Sequence, residues 1–442
     1  MSPTRAYTST VTTTHYETVP ELATDQDAHE RNLVVMKFGG SSVADTDKIK
    51  GVARRLVAAR EAGHRVVCVL SAMGDTTDEL IALAYKISDL PHPREYDMLI
   101  SVGERISNAL CAMAVYDLGH EAISLTGSQA GIVTDTVHGK AKIVDIRAQR
   151  IHEALAEEKI VLVAGFQGVS TTTNDVTTLG RGGSDTTAVA LAAALGADTC
   201  EIFTDVDGVY TADPRIVADA LKLPSLTYEE MLEMSASGAK VMALRSVEFA
   251  RSYGVKLRVR STFGEGEGTW IGEEDPAMLE KAIISGVTHD TSEAKVAILG
   301  VPDQPGIAAK VFRALATAGV NIDMIVQNVS EHGITSISFT LPKADLPIAA
   351  PILEQAAKEI GATEVVQDPD IAKISLIGAG MKSHPGVAAE MFEALADEGI
   401  NIEIISTSSI RISCVVRAKD VERAVRAVHE RFRVVVEERV GA

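Results

Sequence analysis

The sequence predicts a three-layer α/β/α sandwich followed by two copies of a small α+β module. Short apolar runs alternate with helical patterns up to about Val259, which is typical of buried parallel strands and their crossover helices. An internal repeat with a constant offset of 80 residues (305 to 385) predicts the two modules. The 442 residues, 46% hydrophobic and 23% charged, are enough for several domains with buried cores.

The composition excludes some classes of partner. A formal net charge of −19 argues against nucleic acid or an anionic membrane, because both bind a basic surface. The four cysteines lie far apart in apolar runs, without the spacing of a metal site or a disulfide framework, and we expect buried thiols in a reducing compartment. Without a signal peptide or an apolar run of transmembrane length, the sequence predicts a cytoplasmic protein.

The first ordered element is predicted after a polar extension. Residues 1–30 lack periodicity and predict a disordered segment. A strand at Leu33 to Phe38 ends in Gly39 and Gly40, and a helix is predicted over Asp47 to Ala62. Lys37 beside two glycines and two serines favours a phosphate-binding loop. The alternative is a surface lysine whose aliphatic part packs on apolar residues.

The second strand also ends in polar residues. It covers Arg65 to Leu70 and leads into small and hydroxylated residues at Ser71 to Thr77, where open α/β sheets bind ligands. A helix after Tyr96 carries Glu104, which alone is weak evidence for a site because a lone helical glutamate is usually solvated.

Further strands are predicted at Ile160 to Gly165 and Glu201 to Thr204. The loop after the second, Thr204 to Arg215, suits a nucleotide, with Tyr210 near the base or ribose and Arg215 near the phosphates. Ordinary turn chemistry explains its Asp-Gly and Asp-Pro pairs but not the tyrosine and the arginine.

A glycine-rich turn at Thr178 to Thr187 precedes an apolar helix over Ala188 to Leu195. Free N–H groups at such a helix start bind anions, and Arg181 adds a guanidinium suited to a carboxylate or phosphate. Ser184 or Asp185 is predicted as the N-cap and Gly196 as the C-cap residue. The alternative to a binding site is a tight turn that only connects a strand to a core helix.

The repeated modules follow a glycine- and acid-rich linker at Gly264 to Glu274. Each copy has a strand (Lys295 to Val301, Lys373 to Gly378), Pro-Gly, an amphipathic helix, Gly and Asn-Ile. The identical pairs are Pro305/Pro385, Gly306/Gly386, Phe312/Phe392, Gly319/Gly399, Asn321/Asn401 and Ile322/Ile402.

Together these motifs resemble the aspartate kinases of the amino-acid kinase family, and the doubled module resembles their paired ACT domains, which are ferredoxin-like α+β domains. The resemblance runs from about Leu33 to a predicted C-terminal strand at Val434 to Val436. It implies a catalytic domain over 31–264, a linker over 265–282, and ACT domains over 283–366 and 367–442, with the last strand able to return to the first of them. No fused homoserine dehydrogenase is expected.

The implied reaction is ATP-dependent phosphorylation of the L-aspartate side chain to 4-phospho-L-aspartate, the first step toward lysine, threonine and methionine. The resemblance implies that ATP contacts fall on Lys37, Phe38, Gly39, Gly40, Thr204, Asp205, Tyr210, Thr211, Ala212, Asp213, Pro214, Arg215 and Lys240. Aspartate contacts are implied at Ser71, Thr77, Glu104, Arg181, Ser184 and Asp185.

The ACT pair of such enzymes binds lysine, often with threonine, as a feedback inhibitor. The matching positions are Asp303, Gln304, Pro305, Gly306, Ile307, Ala308, Asn321, Ile322, Asp323, Gln327, Val387, Ala388, Asn401, Ile402, Ser408 and Ser409. The resemblance further implies a homo-oligomer, or an α2β2 assembly whose ACT-only β subunit starts at an internal methionine such as Met278.

The residues suit this chemistry. A substrate carboxylate with a pKa near ~4 is already ionised at neutral pH and needs no general base. Lys37 and Lys240 can offset phosphate charge together with Mg²⁺, and Asp205 can orient Lys37 or the metal. We expect Lys37, Arg181, Asp185 and Asp205 to be catalytic, while which aspartate is nearer the metal stays open and no metal ligands are assigned.

Two other functions remain as alternatives. One is an amino-acid kinase relative that acts on glutamate, acetylglutamate or UMP, against which the ACT pair and the segment Arg181 to Asp185 argue. The other is an inactive amino-acid sensor, which predicts losses at Lys37, Arg181 or Asp205 that the sequence does not show.

Overall fold

The computed structural model describes residues 32–273, 284–328, 333–378, 381, 384 and 386–440. The predicted extension over residues 1–30 and the candidate internal start Met278 lie outside these ranges. Within them, one helical stretch, Pro93–Asp117, has the length and apolar composition of a membrane span, but half of it is buried in the protein. A core helix passes the same test, so this is weak evidence for a span.

Residues 32–273 form the first part of the chain. Its strands are β1 (Leu33–Phe38), β2 (Arg65–Leu70), β3 (Ala122–Leu125), β4 (Ile132–Thr134), β5 (Ile143–Ile146), β6 (Ile160–Ala164), β7 (Gln167–Ser170), β8 (Val176–Thr178), β9 (Thr199–Thr204), β10 (Ser225–Thr227), β11 (Leu257–Ser261) and β12 (Thr269–Gly272). Its helices are α1 (Thr46–Glu61), α2 (Thr76–Ile87), α3 (Pro93–Ile100), α4 (Val102–Asp117), α5 (Gln149–Ala156), α6 (Gly183–Leu195), α7 (Tyr228–Ala236) and α8 (Leu244–Tyr253).

Eight of these strands form one sheet in the order β10-β12-β11-β9-β1-β2-β6-β3. Along β1, Leu33 and Val35 pack into one core, while Val34, Met36 and Phe38 pack into another. Helices α1 and α4 cover the second core, and α5, α6, α7 and α8 cover the first. Because the central strands are buried on both faces, they read as continuous apolar runs. The predicted three-layer sandwich is confirmed.

A smaller sheet, β5-β4-β7-β8, lies beside the main one. Its strand β8 leads directly into the glycine turn before α6, so this sheet positions the turn.

The predicted boundary at residue 264 falls inside the eight-stranded sheet. Strand β12 pairs with both β10 and β11, with Trp270 opposite Ser225 and Arg258. The glycines and acids of residues 264–268 therefore form the turn between two paired strands. The predicted linker is corrected for residues 269–272, and residues 274–283 lie outside the described part.

Residues 284–440 form the two repeated modules. Their strands are β13 (Gly286–Asp290), β14 (Glu293–Pro302), β15 (Ile325–Gln327), β16 (Ile334–Pro342), β17 (Glu364–Asp368), β18 (Ile371–Ile377), β19 (Ile404–Thr407) and β20 (Arg411–Arg417). Their helices are α9 (Ile307–Thr317), α10 (Leu346–Ile360), α11 (Val387–Asp397), α12 (Val421–Arg431) and α13 (Arg433–Val440).

The first module has the sheet β15-β16-β14-β17 and the second has β13-β18-β20-β19. In the first, two βαβ halves give four antiparallel strands with α9 and α10 packed on one core, which is the ferredoxin-like arrangement. The repeat is confirmed, since α9 and α11 begin and end 80 residues apart (307 to 387, 317 to 397).

The first module is inserted into the second. Strand β13 precedes the first module but pairs along its whole length with β18, which belongs to the second. Strand β17 extends the first module to Asp368 through its pairing with Lys295. The predicted boundaries at 283, 366 and 367 follow chain order and miss this exchange, because a repeat in sequence does not encode which strand completes which sheet.

The predicted C-terminal strand at Val434 to Val436 is a helix, α13. Val435 and Val436 pack against the core of the second module. Burial on that core outweighs the strand preference of consecutive valines. Strand β17 occupies the fourth place in the first module's sheet, and α13 packs on the second module through Val435 and Val436 instead.

Candidate functional site

The candidate site lies where three neighbouring parallel strands end. Phe38 at the end of β1 is level with Leu70 in β2 and with Phe203 in β9. The glycines after β1, the small residues after β2 and the polar loop after β9 therefore start side by side. Carboxyl ends of parallel strands are the usual binding edge of an open α/β sheet. The structure brings together the three segments that the sequence predicted for ATP and substrate.

Lys37 is held by Asp185 rather than by Asp205. Its Nζ lies 2.5 Å from Oδ1 of Asp185, and both side chains are about nine-tenths buried, with 11% exposed. The N–H group of Ala243 lies 3.4 Å from the other carboxylate oxygen of Asp185. Asp205 is exposed and accepts a hydrogen bond from the hydroxyl of Thr204. The predicted orienting role of Asp205 toward Lys37 is corrected, because Asp185 projects from the first turn of α6 onto the end of β1.

The loops around Lys37 approach each other closely. A Cβ at Gly40 would lie 3.1 Å from the carbonyl oxygens of both Ala72 and Gly74, so a side chain there would push the β1 and β2 loops apart. The N–H of Gly74 donates to the carbonyl of Gly40, which joins the two loops. A Cβ at Gly39 would lie 3.5 Å from Nζ of Lys37, so the loop after β1 passes beside the lysine ammonium.

The glycine turn before α6 is confirmed, but its cap differs from the prediction. The helix begins at Gly183, and the N-cap residue is Gly182, which has a φ of +71°. Ser184 and Asp185 therefore lie within the first turn and do not cap it. A Cβ at Gly182 would lie 2.2 Å from that of Ala243, so a side chain would not fit. Gly196 is the C-cap residue, as predicted.

Glu104 supplies an unpaired negative group at the site. It lies in the first turn of α4 with 3% of its surface exposed, and its Oε1 accepts a hydrogen bond of 3.3 Å from the N–H of Ala72. Its Oε2 is buried without a partner. Burial raises the pKa of Glu104 to about 7. An unpaired buried carboxylate oxygen beside a strand end is suited to bind an ammonium group.

The other predicted substrate residues surround this edge. Ser184 is buried, Ser71 and Thr77 are half-buried, and Arg181 is exposed between the glycines of its turn. The carbonyl oxygen of Ser71 accepts a hydrogen bond from Ser107 in α4, which ties the end of β2 to the helix that carries Glu104.

The loop after β9 divides into two faces. The hydroxyl of Tyr210 donates to Asp207, Arg215 pairs with Asp213 at 2.7 Å, and Arg215 and Lys240 are exposed. Asp205, Pro214 and the exposed cations remain candidates for nucleotide contact.

Thr211 and Ala212 point toward the second module instead. The N–H, hydroxyl and carbonyl groups of Thr211 all bond within the protein, and Ala212 packs in the core of the second module. The side chains of Thr211 and Ala212 therefore face the second module, and their contact with ATP stays a prediction.

Sequence reasoning missed Asp97, the residue that holds the glycine turn in place. Its carboxylate is completely buried. It accepts hydrogen bonds from the hydroxyl and the N–H of Thr178 and from the N–H of Gly139. It also lies 2.7 Å from Nδ1 of His138. Thr178 ends β8, immediately before the turn. No local pattern marks Asp97, since an aspartate within an amphipathic helix is usually solvated.

We expect Asp97→Ala to lower the free energy of unfolding by about 3 kcal/mol, because several buried donors lose their acceptor at once. Urea denaturation measures the change. The matched control is Asp117→Ala at the exposed end of α4, for which we expect less than about 0.5 kcal/mol. Equal effects of the two substitutions would show that Asp97 does not organise this region.

Most of the predicted effector residues lie at the starts of α9 and α11 and in the Asn-Ile segments after these helices, while Gln327 ends β15 and Ser408 and Ser409 follow β19. Most are exposed or half-buried, including Asp303, Asn321, Gln327, Asn401 and Ser409, whereas Ile307 is buried. Asp323 pairs at 2.5 Å with Lys373, a completely buried lysine of the second module that also pairs with Glu293 at 2.6 Å. The ion pairs of Lys373 therefore join the two modules at a predicted effector position.

The fold and the strand-end site define a kinase of the amino acid kinase family that carries ACT domains. The model of the amino acid kinase family matches residues 32–261, and that of the ACT domain matches residues 296–357 and 374–432. The aspartokinase of Corynebacterium efficiens is 58% identical over 403 residues, which are 90% of this chain and 96% of the relative.

Escherichia coli aspartokinase III is a solved structural neighbour. Its complex with aspartate and ADP (R-state) has a TM-score of 0.78, and its complex with lysine and aspartate (T-state) has 0.67. Both are 26% identical to this chain and cover 90% of it, with 99% of their own length matched. The chain belongs to the aspartokinases, which confirms the resemblance, the fold class and the kinase class that the motifs predicted.

Proposed function

We propose that this chain transfers the γ-phosphoryl group of ATP to the side-chain carboxylate of L-aspartate and forms 4-phospho-L-aspartate. The proposal is carried by the pairing of Lys37 with Asp185 at the end of β1 and by the unpaired carboxylate oxygen of Glu104, whose other oxygen binds the loop after the neighbouring strand β2. Lys37 is a cation suited to phosphate, and Glu104 is an anion suited to an ammonium group. The E. coli relative crystallised with aspartate and ADP supports the same pair of substrates.

The acceptor carboxylate needs no general base, since its pKa near ~4 leaves it ionised at neutral pH. The difficulty is the approach of two anions and the charge that moves onto the leaving diphosphate. Lys37, fixed by Asp185, places positive charge there before the reaction starts. Catalysis then depends on electrostatic stabilisation and positioning by residues of the three strand ends.

Substrate recognition follows from the charges around the edge. Glu104 binds the α-ammonium group of aspartate, and the guanidinium of Arg181 binds its α-carboxylate. With both groups fixed, the side-chain carboxylate is directed toward Lys37. Because the glycines beside Arg181 lie at the start of α6, the helix dipole adds favourable potential for an anion.

Magnesium fits this site as the partner of ATP. Among the described residues, no group of three or more histidine, cysteine or acidic side chains is arranged to hold a metal ion. Mg²⁺ in kinases is bound largely by phosphate oxygens and water with one or two carboxylates, and the exposed Asp205 at the end of β9 could provide one. The ion supplies charge neutralisation on the phosphates when bound.

The proposal is tested by ATP turnover with L-aspartate, with hydroxylamine present to trap the acyl phosphate. We expect aspartate-dependent hydroxamate, and much less with glutamate, acetylglutamate or UMP as acceptor. Turnover with one of these other acceptors would replace the proposed substrate. Binding of lysine or threonine without any turnover would instead support an amino-acid sensor.

We further propose that lysine, alone or with threonine, inhibits the enzyme through the ACT domains. Such inhibition lets the end products control the first step toward lysine, threonine and methionine. The T-state complex of the E. coli relative contains lysine. The effector residues lie in modules that are separate from the strand-end site, so inhibition must act through coupling between domains.

We expect Asp303→Ala to raise the inhibitor concentration needed for half inhibition by about tenfold or more, with kcat and both KM values nearly unchanged. Asp303 is exposed at the start of the Pro-Gly turn, so its loss should not disturb the fold. Inhibition curves with lysine, threonine and both measure the effect. Asp345→Ala, in the same module but outside the predicted positions, is the control. An unchanged inhibition curve for Asp303→Ala would remove this residue from the effector site.

Assembly and location complete the proposal. We propose an oligomer that joins chains through their ACT domains, either a homo-oligomer or an α2β2 form with an ACT-only subunit started at Met278, and a cytoplasmic location. A single band on denaturing gels of natively expressed protein would argue against the second form.

A further inference from the structure

The loop after β9 is attached to the second module through Thr211. The carbonyl of Thr211 accepts a hydrogen bond of 2.7 Å from the N–H of Val287 in β13, which is part of the second module's sheet. The side chain of Thr211 is completely buried and faces the same module. The loop is therefore bonded through both backbone and side chain to a domain outside the catalytic sheet.

The side-chain bond is to His429 of α12. The Nε2 atom of His429 lies 3.0 Å from the hydroxyl oxygen of Thr211, and the histidine is 2% exposed. The same hydroxyl oxygen accepts a hydrogen bond of 3.0 Å from the N–H of Leu221. Burial lowers the pKa of His429, so its ring is neutral and Nε2 can accept the hydrogen of the threonine hydroxyl.

Other contacts hold the same loop to α12 and α13. Arg426 donates to the carbonyl oxygen of Ile216 at 3.0 Å, and Arg433 pairs with Asp219 at 3.1 Å. Ala212 and Val217 pack into the core of the second module. The loop from Thr211 to Leu221 is thus bound to the second module at several points along its length.

The same loop carries Tyr210, Asp213 and Arg215, which the resemblance assigns to ATP. We propose that His429 is a positioning residue for ATP, because its bond to Thr211 fixes the loop against the second module. This inference rests on the proposed function, and it adds a direct path by which the position of an ACT domain sets nucleotide affinity. In this proposal His429 does not touch the nucleotide and acts only through Thr211.

The variants His429→Ala, His429→Gln and His429→Asn test the inference in the full-length chain. A glutamine amide can reach the position of Nε2, whereas an asparagine amide reaches only that of Nδ1. We expect the KM for ATP to rise about tenfold in His429→Ala and His429→Asn, because the buried hydroxyl of Thr211 loses the acceptor for its hydrogen. In His429→Gln it should stay within about twofold of wild type, and the KM for aspartate should change little in all three.

Two further variants separate positioning from stability. Val428→Ala opens a cavity beside His429 in the same helix and module core, so it should lower the Tm without changing the KM for ATP. Thr211→Val should resemble His429→Ala, and the double variant should be no worse than either single one, since both remove the same bond. An ATP KM that is equal in wild type and His429→Asn, or that rises as much in Val428→Ala, would overturn the inference.

Direct ATP binding distinguishes this inference from the proposed function. Calorimetric titration with Mg-ATP needs no acceptor, so it reports on the loop even if aspartate is not the substrate. Weaker Mg-ATP binding in His429→Asn than in His429→Gln supports the positioning role. Equal binding in both variants, together with normal hydroxamate formation by wild type, would overturn the inference and leave the proposed reaction intact.

Discussion

Replacing Lys37 with methionine is expected to lower kcat by about 10³-fold. The ammonium of Lys37 is fixed at 2.5 Å from Asp185 and lies where phosphate charge must be stabilised. Removing one preorganised donor from such a site costs about 10²–10³ in rate, and the loss of a full positive charge puts Lys37 at the upper end. Single-turnover hydroxamate formation at saturating ATP and aspartate measures this step directly.

The same substitution also leaves Asp185 buried without its partner, so we expect a loss of about 3 kcal/mol in the free energy of unfolding. The double variant Lys37→Met, Asp185→Asn separates the two effects: it should regain stability but not turnover. Lys48→Met is the matched control, because Lys48 lies on α1 with a loose pair to Asp45 at 3.6 Å and a distant contact with the ring of Phe263. If the double variant regained both stability and turnover, Lys37 would be a structural residue only.

The strands that form the site could be predicted because their signals are local. Apolar runs that end in glycine or hydroxyl residues located β1, β2, β6 and β9 to within two residues. The pairing between Lys37 and Asp185 could not be predicted, since it depends on where α6 crosses the sheet. Asp205, which lies at the end of the neighbouring strand β9, was the nearer candidate by pattern. The carboxylate that reaches Lys37 comes instead from a helix start.

The modules show the same limit at the level of topology. Identical residues at a constant offset revealed the repeat, because each copy needs the same turns around its helix. The strand that completes the second sheet, β13, lies before both copies and carries no repeated residue. The bond between Thr211 and His429 exists only because β13 places the second module against the loop after β9. Contacts that depend on such an exchange need the structure.

The second large effect is expected at Glu104, where Glu104→Gln should raise the KM for aspartate by about 100-fold. The substitution keeps the shape of the side chain but removes the charge that pairs with the substrate ammonium, and a buried bond to a charged group contributes up to about 3 kcal/mol. The change should appear in KM, with ATP binding unaffected. Glu79→Gln, at an exposed position of α2, is the matched control.

The pH dependence of the wild type gives an independent test of Glu104. Its pKa is about 7 in the folded protein, and only the ionised form binds an ammonium group. The value of kcat/KM for aspartate should therefore fall by up to tenfold per pH unit below pH 7. In Glu104→Gln this acidic limb should be absent. An acidic limb that persists unchanged in the variant would assign the titration to another group.

Stability should change with pH in the opposite direction. The folded pKa of Glu104 lies above the value of 4.5 for an exposed glutamate, so the folded state binds the proton more tightly than the unfolded state. Its contribution is complete below pH 4.5 and is lost as the pH rises through 7, a difference of about 3 kcal/mol. The difference in unfolding free energy between wild type and Glu104→Gln, measured at each pH, isolates the contribution of Glu104 from that of other groups that titrate in the same pH range. Saturating aspartate should remove the loss in wild type, because the substrate ammonium then compensates the buried charge. If the difference between the two proteins stayed constant from pH 5 to 8, Glu104 would not be the buried carboxylate that selects the substrate.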